Sequence, residues 1–200
     1  MKTLIRTLVL FGTLLGLGIS TSFSQTPNPA SRFSHKGIKG AIGVGSFEND
    51  FGQKFEDGGA GAVSLGYGFD DRFTLWLTAL GVQHPGNAVR SVTDFGGLEA
   101  HVQYKLFPQS RIQPYGKVGV GLYGFEEEGT NMTFLGSGFA LGVGADWFFS
   151  RHFGIGAEVM FKELDYSKVR QTINGEDVTR DLKPQRDGDA VGLMITLTIQ

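Results

Sequence analysis

Along most of the chain, large apolar residues recur at every second position. The clearest case is the last segment, where Val191, Leu193, Ile195, Leu197 and Ile199 alternate with smaller or polar residues. Such a period of two indicates a β-strand with one face against an apolar environment. The pattern predicts eight strands, at about residues 36–47, 59–69, 73–82, 92–107, 112–125, 133–149, 153–164 and 190–200.

The connections between these strands alternate in length. Three are short, at 70–72, 108–111 and 150–152. Four are longer, at about 48–58, 83–91, 126–132 and 165–189. An even strand count with this alternation is typical of barrels in the bacterial outer membrane, whose short turns face the periplasm. We therefore predict an all-β fold, an eight-stranded antiparallel up-and-down transmembrane β-barrel.

The face opposite the large apolar residues consists mainly of Gly, Ala, Ser and Thr, and the chain contains 31 glycines. It would be a poor water-facing coat, but it fits the narrow lumen of a barrel of eight strands. Scattered charged and ionisable residues on this face form a predicted lumen charge network: Lys39, Glu99, His101, Lys105, Lys117, Asp146, Glu158 and Lys162. Unpaired buried charges are costly, so we interpret the set as paired ions filling the lumen. A proton relay or a catalytic cluster is the alternative interpretation.

Aromatic residues flank the short connections. A ring of aromatic side chains at the membrane–water interface is characteristic of transmembrane barrels. The predicted aromatic girdle comprises Phe69, Phe73, Phe107, Tyr115, Trp147, Phe149 and Phe153.

The first residues have the features of an export signal. Lys2 and Arg6 precede an apolar stretch, Leu8 to Ile19, which is too short for a spanning helix, and small residues follow up to Ser24. We predict a cleavable signal peptide over 1–24, a polar periplasmic linker over 25–35 and the barrel domain over 36–200.

Composition excludes several kinds of chemistry. The chain has no cysteine, so thiolate metal ligation and a cysteine nucleophile are ruled out. A net charge of -2 argues against a nucleic-acid partner. The four histidines have no spacing that suggests a shared metal ion. The glycine runs lack the Lys followed by Ser or Thr, and the helix, of a phosphate-binding loop. We expect no metal, no cofactor and no catalytic residue.

One segment carries a family resemblance: Gly142-Val-Gly-Ala-Asp-Trp-Phe-Phe-Ser-Arg-His-Phe-Gly-Ile-Gly-Ala-Glu-Val. It resembles the strand–turn–strand pattern of the outer membrane protein β-barrel family, the small barrels related to the membrane domains of OmpA and OmpX. The stretch from Tyr115 to Tyr123 is similar to the preceding strand of that family. Many members end on an aromatic residue that the barrel-assembly machinery reads, whereas this sequence ends Leu197-Thr198-Ile199-Gln200.

The resemblance implies location in the outer membrane of a Gram-negative bacterium and brings no catalytic motif with it. We expect a non-enzymatic protein with a structural or surface-recognition role carried by four extracellular loops, chiefly 165–189. Its expected partners are outer-membrane lipid, the barrel-assembly machinery during biogenesis, and a surface partner at that loop. Three alternatives stay open: an enzyme of the same architecture that modifies lipid A, a small pore, and a soluble periplasmic lipocalin-like ligand binder.

Overall fold

The strands close on themselves to form one barrel. The computed structural model describes residues 33, 35–50, 58–84, 93–127, 132–173 and 176–200. Every strand pairs antiparallel with its neighbours in sequence, and the first pairs with the last. The predicted fold class is confirmed. The strands are β1 (Gly37–Asp50), β2 (Gly58–Gly68), β3 (Phe73–His84), β4 (Thr93–Lys105), β5 (Ile112–Glu127), β6 (Met132–Phe148), β7 (Phe153–Ile173) and β8 (Glu176–Ile199).

The two faces of the barrel wall differ sharply. Large aliphatic side chains point outward and are exposed, as Leu98 (67%) and Leu122 (68%) illustrate. Charged side chains point inward and are buried, as Lys162 (0%) and Glu99 (3%) illustrate. This is the reverse of a soluble barrel and the arrangement that a lipid environment requires. On β3, Trp76 turns its ring into the lumen.

Glycines make room for the large inward side chains. Trp76 lies directly across the strand pair from Gly66, and His101 lies across from Gly119. A Cβ at Gly66 would come within 2.6 Å of the Trp76 ring, and one at Gly119 would come within 2.3 Å of the His101 ring. In the narrow lumen of an eight-stranded barrel, these two bulky groups fit because the residue opposite each has no side chain.

The prediction of a long loop at 165–189 is wrong. β7 continues to Ile173 and β8 starts at Glu176, so this segment is a β-hairpin that continues the barrel wall. The last pair between β8 and β1 is Asp189 with Asp50, whereas β7 pairs with β6 as far as Gln171. The hairpin beyond Glu163 is about 35 Å long along the strand. We call 163–189 the β7–β8 hairpin.

Two residues of the predicted polar linker, 25–35, are described by the structure. Phe33 and His35 are buried against the end of the barrel that carries the three short connections. We call this end the short-turn end and the opposite one the loop end. The predicted signal peptide lies outside the described residues and stays a prediction.

Candidate functional site

The predicted lumen charge network lies inside the barrel. Seven of its eight side chains are buried, and the side chain of Lys117 is 13% exposed. Inward positions alternate along every strand, so residues far apart in sequence meet across the lumen. The structure resolves the network into three carboxylate-centred groups and one additional lysine.

The first group surrounds Glu99. The ammonium group of Lys162 donates to Glu99 Oε1, and His101 Nε2 lies 3.2 Å from Glu99 Oε2. The Lys162 ammonium also faces two aromatic rings, with Nζ 5.0 Å from the Phe47 centroid and 5.4 Å from that of Tyr123. Cation–π contacts add to the ion pair where water is scarce.

The second group is centred on Glu158. Lys117 Nζ lies 2.7 Å from Glu158 Oε2, and the Tyr115 hydroxyl donates to the same oxygen at 2.9 Å. The prediction that Tyr115 belongs to the aromatic girdle is therefore wrong. Tyr115 shares the inward phase of Lys117 on β5, and that phase was the sequence signal for its true position.

The third group ties the lumen to a short turn. Lys105 Nζ donates to Asp146 Oδ2 at 3.0 Å and to Gln113 Oε1 at 2.9 Å. The Gln113 amide in turn donates to the carbonyl oxygens of Pro108 and Ser110 at 2.9 Å. Two buried glutamines, Gln103 and Gln113, lie among these charged groups. The predicted network does not include them.

Lys39 lies apart from these carboxylates. Its Nζ donates to Thr74 Oγ1 at 3.0 Å, and no described carboxylate lies within ion-pairing distance. The described lumen thus holds four lysines and three carboxylates. All three carboxylates are paired with a lysine.

His101 does not form a nucleophile–base pair. Among the described residues, neither of its ring nitrogens is hydrogen-bonded to a hydroxyl group. A Ser–His arrangement for acyl transfer needs such a contact. The same residues contain no cluster of three His, Asp or Glu side chains placed to hold a metal ion.

A small cavity lies within the described part of the lumen. It has a volume of about 40 Å³, lies between the charged groups and is lined by residues that include His101, Lys117, Ser64 and Thr196. A buried water needs at least roughly 10–15 Å³, so the cavity has room for two or three waters.

Nearer the loop end, the lumen is apolar. Phe95 stacks on Tyr123 with centroids 5.6 Å apart, and Phe125 contacts Phe134 at 6.0 Å. We call this region the apolar lumen cluster; its buried members are Phe47, Leu80, Val82, Phe95, Tyr123, Phe125, Ala140, Met160, Leu164, Tyr166, Ala190 and Met194. Its aromatic members lie in phase with the inward face of their strands, which is the sequence signal for this cluster.

The other six predicted girdle residues point outward near the short-turn end and are exposed: Phe69, Phe73, Phe107, Trp147, Phe149 and Phe153. Several contact one another, as Phe149 and Phe153 do with parallel rings 6.3 Å apart. Tyr67 and Tyr104 join them, through Phe69 and Phe73 respectively. The described residues contain no helix long and apolar enough to cross a membrane.

Comparisons with known proteins agree with this architecture. The model of the family described as "Outer membrane protein beta-barrel domain" matches residues 13–184. Neisserial surface protein A (NspA) has a similar solved structure, with 12% identity, a TM-score of 0.64, and coverage of 82% of this chain and 97% of that one.

The outer membrane protein OprG from Pseudomonas aeruginosa is 16% identical over 84% of this chain and 97% of its own, with a TM-score of 0.54. No curated protein matches the chain. At such identities the likeness to solved structures shows the fold, whereas the family model covers most of the chain. The predicted family and location are confirmed: this chain belongs to the outer membrane protein β-barrel family and lies in the bacterial outer membrane.

Proposed function

We propose that this protein has a structural and surface-recognition role, carried by its loop end and chiefly by the β7–β8 hairpin. The observation that carries the proposal is the contrast between the hairpin and the wall below it. On β7 the outward residues change from apolar at Phe161 to acidic at Glu163 and Asp165. Asp189 and Asp187 lie opposite them on β8. A wall with acidic outward positions has left the lipid.

The exposed side chains of the hairpin suit a position in water rather than in lipid. Above the acidic pairs it carries exposed basic residues, Lys168, Arg170, Arg180, Lys183 and Arg186. From Asp189 towards the loop end, the outer edge of β8 pairs with no other strand among the described residues. The hairpin also contains a register shift between Tyr166 and Lys168, and Pro184 lies on β8. Charges, a proline and an irregular register are devices that keep an edge strand from pairing with other chains. The hairpin therefore offers side chains rather than a free backbone edge to a partner.

The filled lumen supports a role on the surface rather than inside the barrel. Transport would need a continuous aqueous path, and the lumen is occupied by ion pairs at one end and by the apolar lumen cluster at the other. We therefore expect reconstituted protein to give no reproducible conductance steps in a planar bilayer. Regular steps would favour the alternative of a small pore.

The lipid A enzyme is the second alternative. Its chemistry would need a nucleophile with its base near the outer lipid face, but Ser150 Oγ accepts from the backbone of His152 and Phe153 in a short turn. We expect His101→Ala to leave lipid A unchanged by mass spectrometry. A changed acylation pattern, restored by the wild-type chain, would overturn the non-enzymatic assignment.

The hairpin itself can be tested by replacing residues 167–185 with Asn-Gly, a two-residue turn suited to join Tyr166 and Arg186, which are cross-strand partners. We expect the shortened barrel to fold and to keep its position in the outer membrane. A peptide epitope inserted at 174–175 of the full chain should be detected by antibody on intact cells. Detection only after permeabilisation would contradict the proposal.

The recognition role needs a binding readout as well. Intact cells that carry the full chain should bind members of a glycan array, or a defined set of host surface proteins, that cells carrying the shortened chain do not bind. Lys168→Ser with Arg170→Ser gives a matched point variant with an intact hairpin backbone. Equal binding by the full and the shortened chain would leave only the structural role.

A further inference from the structure

The chain just before β1 covers the lumen at the short-turn end. Phe33 is 6% exposed and His35 is fully buried. They lie next to the polar half of the lumen, because Phe148, which both rings contact, also packs under the ammonium group of Lys105 at 4.7 Å.

His35 joins three separate parts of the short-turn end. Its backbone N–H donates to Asp71 Oδ1 at 3.1 Å, in the connection between β2 and β3. Its ring Nε2 lies 3.0 Å from the Pro108 carbonyl oxygen, in the connection between β4 and β5. Its ring Nδ1 lies 2.6 Å from Gln200 Oε1, just after β8. One buried residue thus contacts three separate elements at this end.

Neighbouring contacts hold the same segment. The Gln109 amide donates to the Phe33 carbonyl at 3.4 Å and to Asp71 Oδ2 at 3.0 Å. The ring of Phe148 lies 5.8 Å from that of Phe33 and 5.3 Å from that of His35. Gln200 is itself held by the third short turn, since its amide donates to the Arg151 carbonyl at 3.1 Å.

A glycine in the barrel wall leaves room for the backbone of this segment. Gly68, at the end of β2, faces the lumen, and a Cβ there would lie 1.7 Å from the His35 carbonyl oxygen and 2.9 Å from its carbon. Only glycine lets the His35 backbone approach so closely. On the same strand, Gly61 points outward, and a Cβ there would meet nothing within 4 Å.

We infer that Phe33 and His35 form a plug that closes the polar half of the lumen to water and small solutes at the short-turn end. The two ends of the lumen are then closed in different ways. The loop end is closed by close-packed aromatic and aliphatic side chains. The short-turn end is closed by a segment outside the barrel wall, held by hydrogen bonds and ring contacts, which can be removed without changing a strand.

The absence of cysteine allows a direct test. Thr198→Cys places one thiol on the lumen face of β8 near the plug, where the native residue is 6% exposed. The measurement is the rate at which a small anionic methanethiosulfonate modifies this thiol in folded protein in detergent micelles. We expect slow modification behind the intact plug. His35→Ala, or Gly68→Ala, which leaves His35 unchanged, should raise the rate at least tenfold.

Three matched variants define the result. Lys36→Ala, at an exposed position beside His35, and Gly61→Ala should leave the rate at Cys-substituted Thr198 unchanged. A thiol at Ser46, exposed on the outer wall, should react quickly in every background. If His35→Ala does not fold, as judged by an unboiled gel, Gly68→Ala decides the question. Equal rates with and without plug substitutions, or fast modification behind the native plug, would overturn the inference.

Discussion

Single buried charges decide much of the stability inside this barrel. Each described lumen carboxylate lies beside a lysine, and each pair is nearly shielded from bulk solvent. A buried pair contributes little by itself, because desolvation offsets the attraction between the charges. Removing one partner is far more damaging, since the other charge is left buried without compensation. The lumen is therefore tolerant of paired changes and intolerant of single ones.

The pair between Glu99 and Lys162 tests this asymmetry. We expect Glu99→Gln or Lys162→Met alone to lower the free energy of unfolding by about 3–5 kcal/mol. The double variant should recover a large part of that loss, because no charge is left unpaired. The measurement is the temperature at which the folded band on an unboiled gel is lost.

Lys168→Met, at an exposed position of the β7–β8 hairpin, is the control and should change stability by no more than about 0.5 kcal/mol. A double variant whose loss equals the sum of the two single losses would show that these side chains act independently.

The ionisation of His35 should make the stability of the folded protein depend on pH. Burial lowers the pKa of His35 to about 4, helped by the nearby charges of Lys105 and Lys39 and opposed by its hydrogen bonds to Gln200 and Pro108. Its backbone N–H also faces the Asp71 carboxylate. In the unfolded chain the imidazole has its ordinary pKa near 6.5. Between these values the unfolded state binds a proton that the folded state does not.

Stability that is present above pH 6.5 should therefore be lost as the pH falls towards 4, by about 2–3 kcal/mol from this residue. Unfolding in urea at several pH values between 4 and 8 measures the loss. His35→Gln should flatten this part of the profile. A profile of unchanged steepness in His35→Gln would contradict the assignment of the loss to His35.

At the scale of the strands, several bulky inward residues fit because they lie opposite glycines. Tyr123 faces Gly97 and Gly136, and Phe47 faces Gly192. The high glycine content is thus a packing requirement of the narrow lumen, and outward glycines are not under the same constraint.

Gly119→Ala and Gly81→Ala compare the two kinds of position. The first adds a methyl group 2.4 Å from the Ala100 carbonyl oxygen and 2.3 Å from the His101 ring, whereas the second meets nothing within 4 Å. We expect Gly119→Ala to cost about 1–3 kcal/mol of stability. Gly81→Ala should stay within about 0.5 kcal/mol of the wild type. Equal effects of both would show that lumen packing does not determine the choice of glycine.

The periodic pattern predicts the strands well where one face meets lipid. From Val191 to Ile199 the outward residues are all aliphatic, so strand and orientation both follow. Between Glu163 and Asp189 the exposed positions are mostly charged or polar, so no row of large apolar outward residues reveals the strands there. For that reason the β7–β8 hairpin was predicted as a loop.

The sequence predicts that these charged side chains face the lumen, but it does not predict which of them pair. Phase along a strand places Glu158 and Lys117 in the lumen, but which carboxylate meets which lysine depends on the register and stagger of the barrel. The plug was not predictable for a different reason. Phe33 and His35 lie in a polar, proline-containing segment with no period, and their burial depends on contacts to turns far away in sequence.

At the scale of the whole molecule, the barrel has an apolar outer surface that requires contact with lipid. Its interior is largely filled by side chains and leaves room for a few waters. The apolar outward band, the aromatic side chains near the short-turn end and the closure of β1 on β8 all depend on one another. A closed antiparallel barrel satisfies every backbone hydrogen bond within the membrane, which is why it resists detergent until it is heated.

Gel electrophoresis of boiled and unboiled outer-membrane fractions tests whether the protein is a closed barrel with its apolar face in lipid. A closed barrel stays folded in detergent at room temperature and migrates differently from the boiled chain. We predict that the protein sediments with the outer membrane and that its mobility changes on boiling. Recovery in the soluble periplasm with the same mobility before and after boiling would contradict a closed barrel with its apolar face in lipid.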